Sequence, residues 1–255
     1  PVTTGDQNIA IGHNALGAST TSAGNVAIGY EAGKSITTTS GKTTLVGYSA
    51  GLAVTSGAGS TAFGHTALAT NTTGNYSTAI GKDALQTLNT DGGNVPEHNT
   101  AVGYESGKNA TYGDKGTYIG AEAGEAVTTA SNNTFVGALA GVATTTGANN
   151  TAIGTEAMDT NVLGSDSAAL GYQALFTSNV ANARNVAIGS LAGKLTETGV
   201  QNVFAGYAAG TANTTGSNNV AVGSGALLAN TIGASNVALG KSALGTNIDG
   251  SKAIA

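Results

Sequence analysis

The chain has 255 residues, of which 40 are Gly and only two Pro; nine are Lys or Arg, 14 are Asp or Glu, and there is no Cys or Trp. Glycine at about one residue in six excludes a helical protein, because each interior Gly costs about 1 kcal/mol there, and Pro is too rare for collagen. With 40% hydrophobic residues and a net charge of −5, the chain is not a disordered polyelectrolyte, and without a basic cluster it is not a nucleic-acid binder.

No apolar run approaches ~18 residues, so no membrane insertion is expected of this segment. The absence of Cys removes disulfides and thiolate metal sites. The opening Pro1-Val2-Thr3-Thr4-Gly5 carries neither a basic stretch nor an apolar core, and reads as part of a longer chain.

The first predicted element is Ile9-Ala10-Ile11, closed by Gly12, and the same unit then returns along the chain. It is clear at Asn25-Val26-Ala27-Ile28-Gly29, at Asn99-Thr100-Ala101-Val102-Gly103 and at Asn236-Val237-Ala238-Leu239-Gly240. Its anchor glycines are Gly12, Gly29, Gly47, Gly64, Gly81, Gly103, Gly120, Gly137, Gly154, Gly171, Gly189, Gly206, Gly223 and Gly240. They stand 17 residues apart, with two spacings of 18 and one of 22. A tandem unit of this length cannot bury an apolar face alone and must stack on its neighbours.

The columns of the repeat define a coil. The residue before each anchor is apolar in all fourteen copies, from Ile11 to Leu239, and the residue two earlier is mostly Val, Ile or Thr. These two columns share one strand face, and the anchor-adjacent column is expected to form the core. The invariant Gly implies positive φ or a tight bend. Three residues later stands Ala in thirteen copies, then Leu, Met or Gly, and then a turn such as Asn71-Thr72-Thr73-Gly74. Each coil is therefore expected to be a strand, a glycine bend, a shorter strand and a Thr/Gly turn. The fold class is an all-β parallel β-roll or β-solenoid of about 14 coils, one tandem-repeat domain over 1–255 with repeats at about 8–244. Asn four before the anchor, as at Asn8, Asn150 and Asn219, predicts an amide ladder along the stack. A core of one apolar side chain per coil is thin, and the Ala, Ser and Gly columns permit close approach between chains, so a homotrimer is expected.

Chemistry has few places to reside. The three histidines are His13, His65 and His98, and no Ser is singled out for a triad, so no catalytic residue is assigned and no enzyme is expected. A hexapeptide acyltransferase needs three hexapeptides per coil, and only Ile11-Gly12-His13-Asn14-Ala15-Leu16 fits one. No Gly-Gly-x-Gly-x-Asp tandem marks a calcium roll, and no metal or cofactor is assigned. The 22-residue spacing places an inserted loop at about 86–98, with Asp91, Pro96, Glu97 and His98. Pro96 cannot join a ladder, so the loop protrudes; it reads as solvated or as a recognition loop rather than a metal site.

The candidate ligand-binding stripe is the column just after the anchor: His13, Tyr30, Tyr48, His65, Lys82 and Tyr104, with Tyr172 and Tyr207 further on. In register these rings lie about 4.8 Å apart, suited to stacking on sugars or to lining a subunit interface. The next column carries Glu31, Asp83, Glu105, Glu122 and Glu156 and reads as a solvated acidic edge. The Thr column at Thr44, Thr61, Thr78, Thr100, Thr117, Thr134 and Thr151 reads as half-buried packing rather than as an ice-binding array.

The segments Asn-Val-Ala-Ile-Gly at 25–29 and 185–189 and Asn-Thr-Ala-Ile-Gly at 150–154 resemble the head repeats of YadA-type trimeric autotransporter adhesins. The fuller unit, with its Thr-Thr-Gly turn, is similar to repeats of bacteriophage tail-fibre and virion structural proteins. The resemblance implies a left-handed coil, a homotrimer, an extracellular or virion-surface location and attachment to a host-cell glycan or protein. A unit of 17 residues is longer than the usual adhesin repeat. A structural spacer rod is the alternative that assigns no ligand to this segment.

Overall fold

A strand of three residues recurs once per repeat because the β-branched pair flanking a small residue favours extended backbone and the anchor glycine ends it. The computed structural model describes residues 5–37, 41–88 and 98–255. They fall into two compact units, Pro1–Asn132 and Asn133–Ala255. The first holds β1 (Ile9–Ile11), β2 (Val26–Ile28), β3 (Thr44–Val46), β4 (Thr61–Phe63), β5 (Thr78–Ile80), β6 (Thr100–Val102) and β7 (Thr117–Ile119). The second holds β8 (Thr134–Val136), β9 (Thr151–Ile153), β10 (Ala168–Leu170), β11 (Val186–Ile188), β12 (Val203–Ala205), β13 (Val220–Val222) and β14 (Val237–Leu239). Within each unit every strand pairs in parallel with the next in chain order, column on column, as in Thr61↔Thr78 and Val203↔Val220. The chain is an all-β parallel β-solenoid with one coil per repeat, and there is no helix among the described residues.

The inside of the coil is not the column the sequence suggested. The middle residue of the strand points inward: Ala27, Ala62, Ala79, Ala152 and Ala221 are fully buried, as are Leu45, Tyr118, Phe135 and Phe204. The anchor-adjacent residues, expected as the core, turn outward; Ile80 is 40% exposed, Leu170 47% and Ile188 48%. The reason is thickness. Opposite the strand lie the buried Ala three past the anchor (Ala32, Ala67, Ala174) and the buried Leu or Met four past it (Leu68, Leu85, Met158). Such a narrow coil takes Ala on the strand side and leaves no room for Ile. The small columns are accordingly internal packing and not surfaces where other chains approach.

The four large inward residues show how the interior is filled. Each has Gly, not Leu, four past the anchor in its own coil: Leu45 with Gly51, Tyr118 with Gly124, Phe135 with Gly141 and Phe204 with Gly210. The other three glycines of that column, Gly33, Gly107 and Gly193, stand in the coil just before a large residue. A Cβ on Gly107 would lie 2.6 Å from Tyr118 Cδ2, and one on Gly51 2.7 Å from Leu45 Cδ2. Large and small side chains thus alternate to fill one volume at the density that interiors require.

The anchor glycines are needed twice over. Their φ runs from 126° to 149°, a region L-residues rarely enter. A Cβ on Gly154 would also stand 2.6 Å from the carbonyl oxygen of Gly171 in the next coil. The segment after the anchor is a turn and not the shorter strand expected. Residues two and four past the anchor are left-handed even where they are not Gly, as at Glu31 (φ 54°), Glu105 (53°), Leu68 (52°) and Met158 (54°). This conformation costs roughly 1–2 kcal/mol per L-residue, and it aims successive amides along the stack. Glu31 N–H donates to His13 O in the coil before at 2.8 Å, and Leu68 N–H to Ala84 O in the coil after at 3.1 Å. Backbone donors buried between coils are thereby satisfied.

The expected amide ladder is present. Backbone N–H of Asn25 donates to Asn8 Oδ1 at 2.9 Å, and Asn202, Asn219 and Asn236 do the same to Asn185, Asn202 and Asn219, each at 2.9 Å. The side-chain amides of Asn185, Asn202, Asn219 and Asn236 also donate to turn carbonyls, as Asn219 Nδ2 does to Gly233 O at 2.8 Å. A second ladder, unforeseen from the sequence, runs through the turn Asn residues: Asn230 Nδ2 donates to Asn213 Oδ1 at 2.9 Å, and Asn247 Nδ2 to Asn230 Oδ1 at 3.3 Å.

Candidate functional site

The column after the anchor starts where the glycine bend swings the chain out of the strand, so its side chains leave the coil on one edge. Register does the rest. In the first unit the rings of His13 and Tyr30, Tyr30 and Tyr48, and Tyr48 and His65 have centroids 5.2, 5.1 and 5.0 Å apart, with planes within 11° of parallel. Lys82 Nζ lies 5.2 Å from the centroid of the Tyr104 ring. The predicted stripe therefore exists over six coils. Its rings stack on one another, so the faces of Tyr30 and Tyr48 are covered and their edges and hydroxyls remain. Both residues are exposed. His65 Nδ1 is paired with Thr66 Oγ1 at 2.9 Å, leaving Nε2 as its outer nitrogen.

The second unit does not continue the stack. Tyr172 and Tyr207 are both exposed, but the intervening coil places Ser190 between them, two coils being too wide for ring contact. They are single rings in a polar column of Thr155, Ser190, Ser224 and Lys241.

Beside the stripe three carboxylates of the acidic column are paired with lysines. Lys34 Nζ lies 2.7 Å from Glu31 Oε1, Lys82 Nζ 3.0 Å from Asp83 Oδ2, and Lys108 Nζ 3.1 Å from Glu105 Oε1. The Lys34 hydrogen bond holds the Glu31 carboxyl below its usual value. The Tyr104 hydroxyl donates to Glu105, which lowers the Glu105 carboxyl and raises the phenol. At Asp83 burial pushes the carboxyl up, but hydrogen bonds from Thr66 and Lys82 outweigh it and the net shift is downward. The expected solvated acidic edge thus carries ion pairs at three of its first-unit positions, Glu31, Asp83 and Glu105.

A second surface escaped the sequence reading, since its residues were assigned to the core. The outward strand columns put Thr61 and Phe63, Thr78 and Ile80, Thr100 and Val102 on one face of the first unit, and Val186 and Ile188, Val220 and Val222 on the matching face of the second. Thr151, Ile153, Ala168, Leu170, Val186 and Ile188 line a shallow, almost wholly apolar groove on the latter. The face carries no ionisable side chain in any strand. The clue in the sequence was the Ala that stands between its two columns in ten of the fourteen strands, with Gly four past the anchor wherever a larger residue replaces it: a position so restricted is the cramped one.

Among the described residues no three His, Cys, Asp or Glu side chains come together to hold a metal. His98 stacks on Tyr76 with centroids 5.4 Å apart; Asp91, Pro96 and Glu97 of the expected loop lie outside the described residues. No helix of the described residues is long and apolar enough to cross a membrane. No protein-family model matches the chain, and no curated protein matches it in sequence.

Proposed function

We propose that the chain is a non-enzymatic segment of an extracellular fibre, assembled as a homotrimer and used for attachment to a host-cell surface, as in a bacteriophage tail fibre or virion fibre. The observation that supports it is the uncharged strand face. Rows of Ile, Val, Leu and Phe side chains are aligned there at every coil, and each would contribute roughly 1.5–3 kcal/mol on full burial. A contiguous apolar face of this kind marks a protein contact, and a repeated surface in several copies raises avidity without tight single sites. The face supports self-association; the number three comes from the likeness to adhesin heads. The head of a bacterial trimeric autotransporter adhesin is the second reading, favoured by the Asn-Val-Ala-Ile-Gly segments at 25–29 and 185–189.

Light scattering of the purified chain tests the assembly and should give the mass of three copies. The pair Ile80→Lys and Ile188→Lys should return the monomer while the β-type circular dichroism persists. A wild-type monomer at micromolar concentration rejects the assembly; a trimer that adheres to no cell or surface polymer leaves only a spacer.

A further inference from the structure

We infer that the stripe of the first unit is a row of subsites for a neutral, extended, linear polysaccharide lying along the stack, one sugar ring per coil. The inference rests on the attachment reading above and names its ligand. The stripe presents a polar tip at every step: His13, the hydroxyls of Tyr30 and Tyr48, His65, and the Lys82 ammonium. The ring-to-ring steps are 5.2, 5.1 and 5.0 Å.

That period selects among polymers. Nucleic-acid bases repeat every ~3.4 Å along a strand, and same-side side chains of an extended peptide every ~6.6 Å; both fall out of step with the stripe within two or three coils. One pyranose ring with its glycosidic oxygen, in an extended equatorial linkage, advances by close to one coil. The lateral chemistry agrees. Glu31, Asp83 and Glu105 beside the stripe are each matched by a lysine, so the row offers no net charge to an ionic polymer. Because ring faces are covered, sugars meet ring edges and donor tips, and hydrogen bonding carries the recognition. The stack also holds the rings in place before binding, which lowers the ordering cost of association.

The experiment uses the whole chain and β-1,4-linked gluco-, manno-, xylo- and N-acetylglucosamine oligomers of two to six rings in titration calorimetry. At least one series should bind, with affinity rising about tenfold or more from two rings to six, as added subsites contribute. Tyr30→Ala and Tyr48→Ala should each weaken the hexamer about tenfold, and Tyr48→Phe, which keeps the stack and removes one donor, several-fold. Tyr207→Ala, in the unstacked column, should leave binding unchanged. Absence of binding in all four series, affinity independent of length, or unchanged binding by Tyr48→Phe and Tyr48→Ala overturns the inference. A trimer that binds cells but none of these sugars removes this inference alone. A chain that binds the sugars but is monomeric and non-adherent removes the fibre reading and leaves the stripe standing.

Discussion

A Cβ on Gly193 would stand 2.6 Å from Cδ2 of Phe204, whose ring also fills the space beside Gly210. Phe204 and the two glycines therefore share one volume, and the exchange can be reversed. Phe204→Ala alone should cost about 3–5 kcal/mol through the cavity it leaves. Gly210→Leu alone should be destabilising by at least as much, because the ring cannot withdraw from a fully buried site. The triple variant Phe204→Ala, Gly193→Leu, Gly210→Leu rebuilds the Ala-and-Leu coil seen at Ala62 with Leu68 and at Ala79 with Leu85. Its urea midpoint should return to near that of the wild type. A triple variant no better than the sum of its parts would show that the glycines serve some other purpose.

That exchange also marks where the sequence could be read and where it misled. The Gly spacing revealed the coils, their register and the Asn ladder, because invariant positions in a stack must repeat. The side of the strand that faces inward was misjudged, because Ile28 is larger than Ala27 and larger apolar residues usually go inside. In so thin a coil the cramped position is the interior one. Pairing of Tyr118 with Gly107 and Gly124 held the information, yet it becomes legible only when two columns are compared. The left-handed turn was hidden since Glu31 and Leu68 have no preference for it; tertiary bonding imposes it. The stripe of His13, Tyr30, Tyr48 and His65 is visible as a column, whereas its self-stacking depends on the in-register fold that brings the rings within 5.2 Å.

Thr196 and Thr144 interrupt the ladder of turn Asn residues. Both are fully buried, and their hydroxyls have no hydrogen-bond partner among the described residues. Each stands three before a Gly, Gly199 and Gly147, the same spacing that lets Asn213 Nδ2 donate to Gly216 O at 2.9 Å. Thr196→Asn should therefore join Asn213 and Asn230 in one ladder and raise stability by about 1 kcal/mol, the scale of one added buried hydrogen bond. Thr144→Asn should do likewise beside Asn161. Equilibrium urea unfolding reads both; a lower midpoint for each would mean the turn cannot seat the amide there.

Asp159 sits where Lys34 and Lys108 stand in other coils, three residues after a Glu, so it faces Glu156 with like charge. Burial, and then Glu156, raise its carboxyl above 3.8. A raised carboxyl means that ionisation is harder in the fold, so stability falls as pH climbs through that range and is regained below it. Asp159→Asn should stabilise the protein by a few tenths of a kcal/mol at pH 7, with the gain vanishing under acid. The opposite holds for Asp83 and Glu105, whose carboxyls are lowered: their contribution is present above the usual carboxylate value and is lost as pH falls. Thermal melts of Asp159→Asn, Asp83→Asn and wild type between pH 3 and 7 separate the two signs.

Gly154 and Gly240 share one backbone conformation but differ in surroundings. Their φ values are 136° and 128°. A Cβ on Gly154 would stand 2.6 Å from Gly171 O, whereas one on Gly240 meets nothing within 4 Å. Gly240→Ala thus reports conformational strain alone, about 1–3 kcal/mol. Gly154→Ala adds a collision with backbone that two ladders hold in place, since Gly154 N–H donates to Val136 O and Gly171 N–H to Ile153 O, each at 2.8 Å. The stack should part at that coil, with a loss well beyond that of Gly240→Ala and amide exchange accelerated in β9 and β10 first. Equal losses for the two variants would assign the anchor's requirement to φ and remove close coil packing from the explanation.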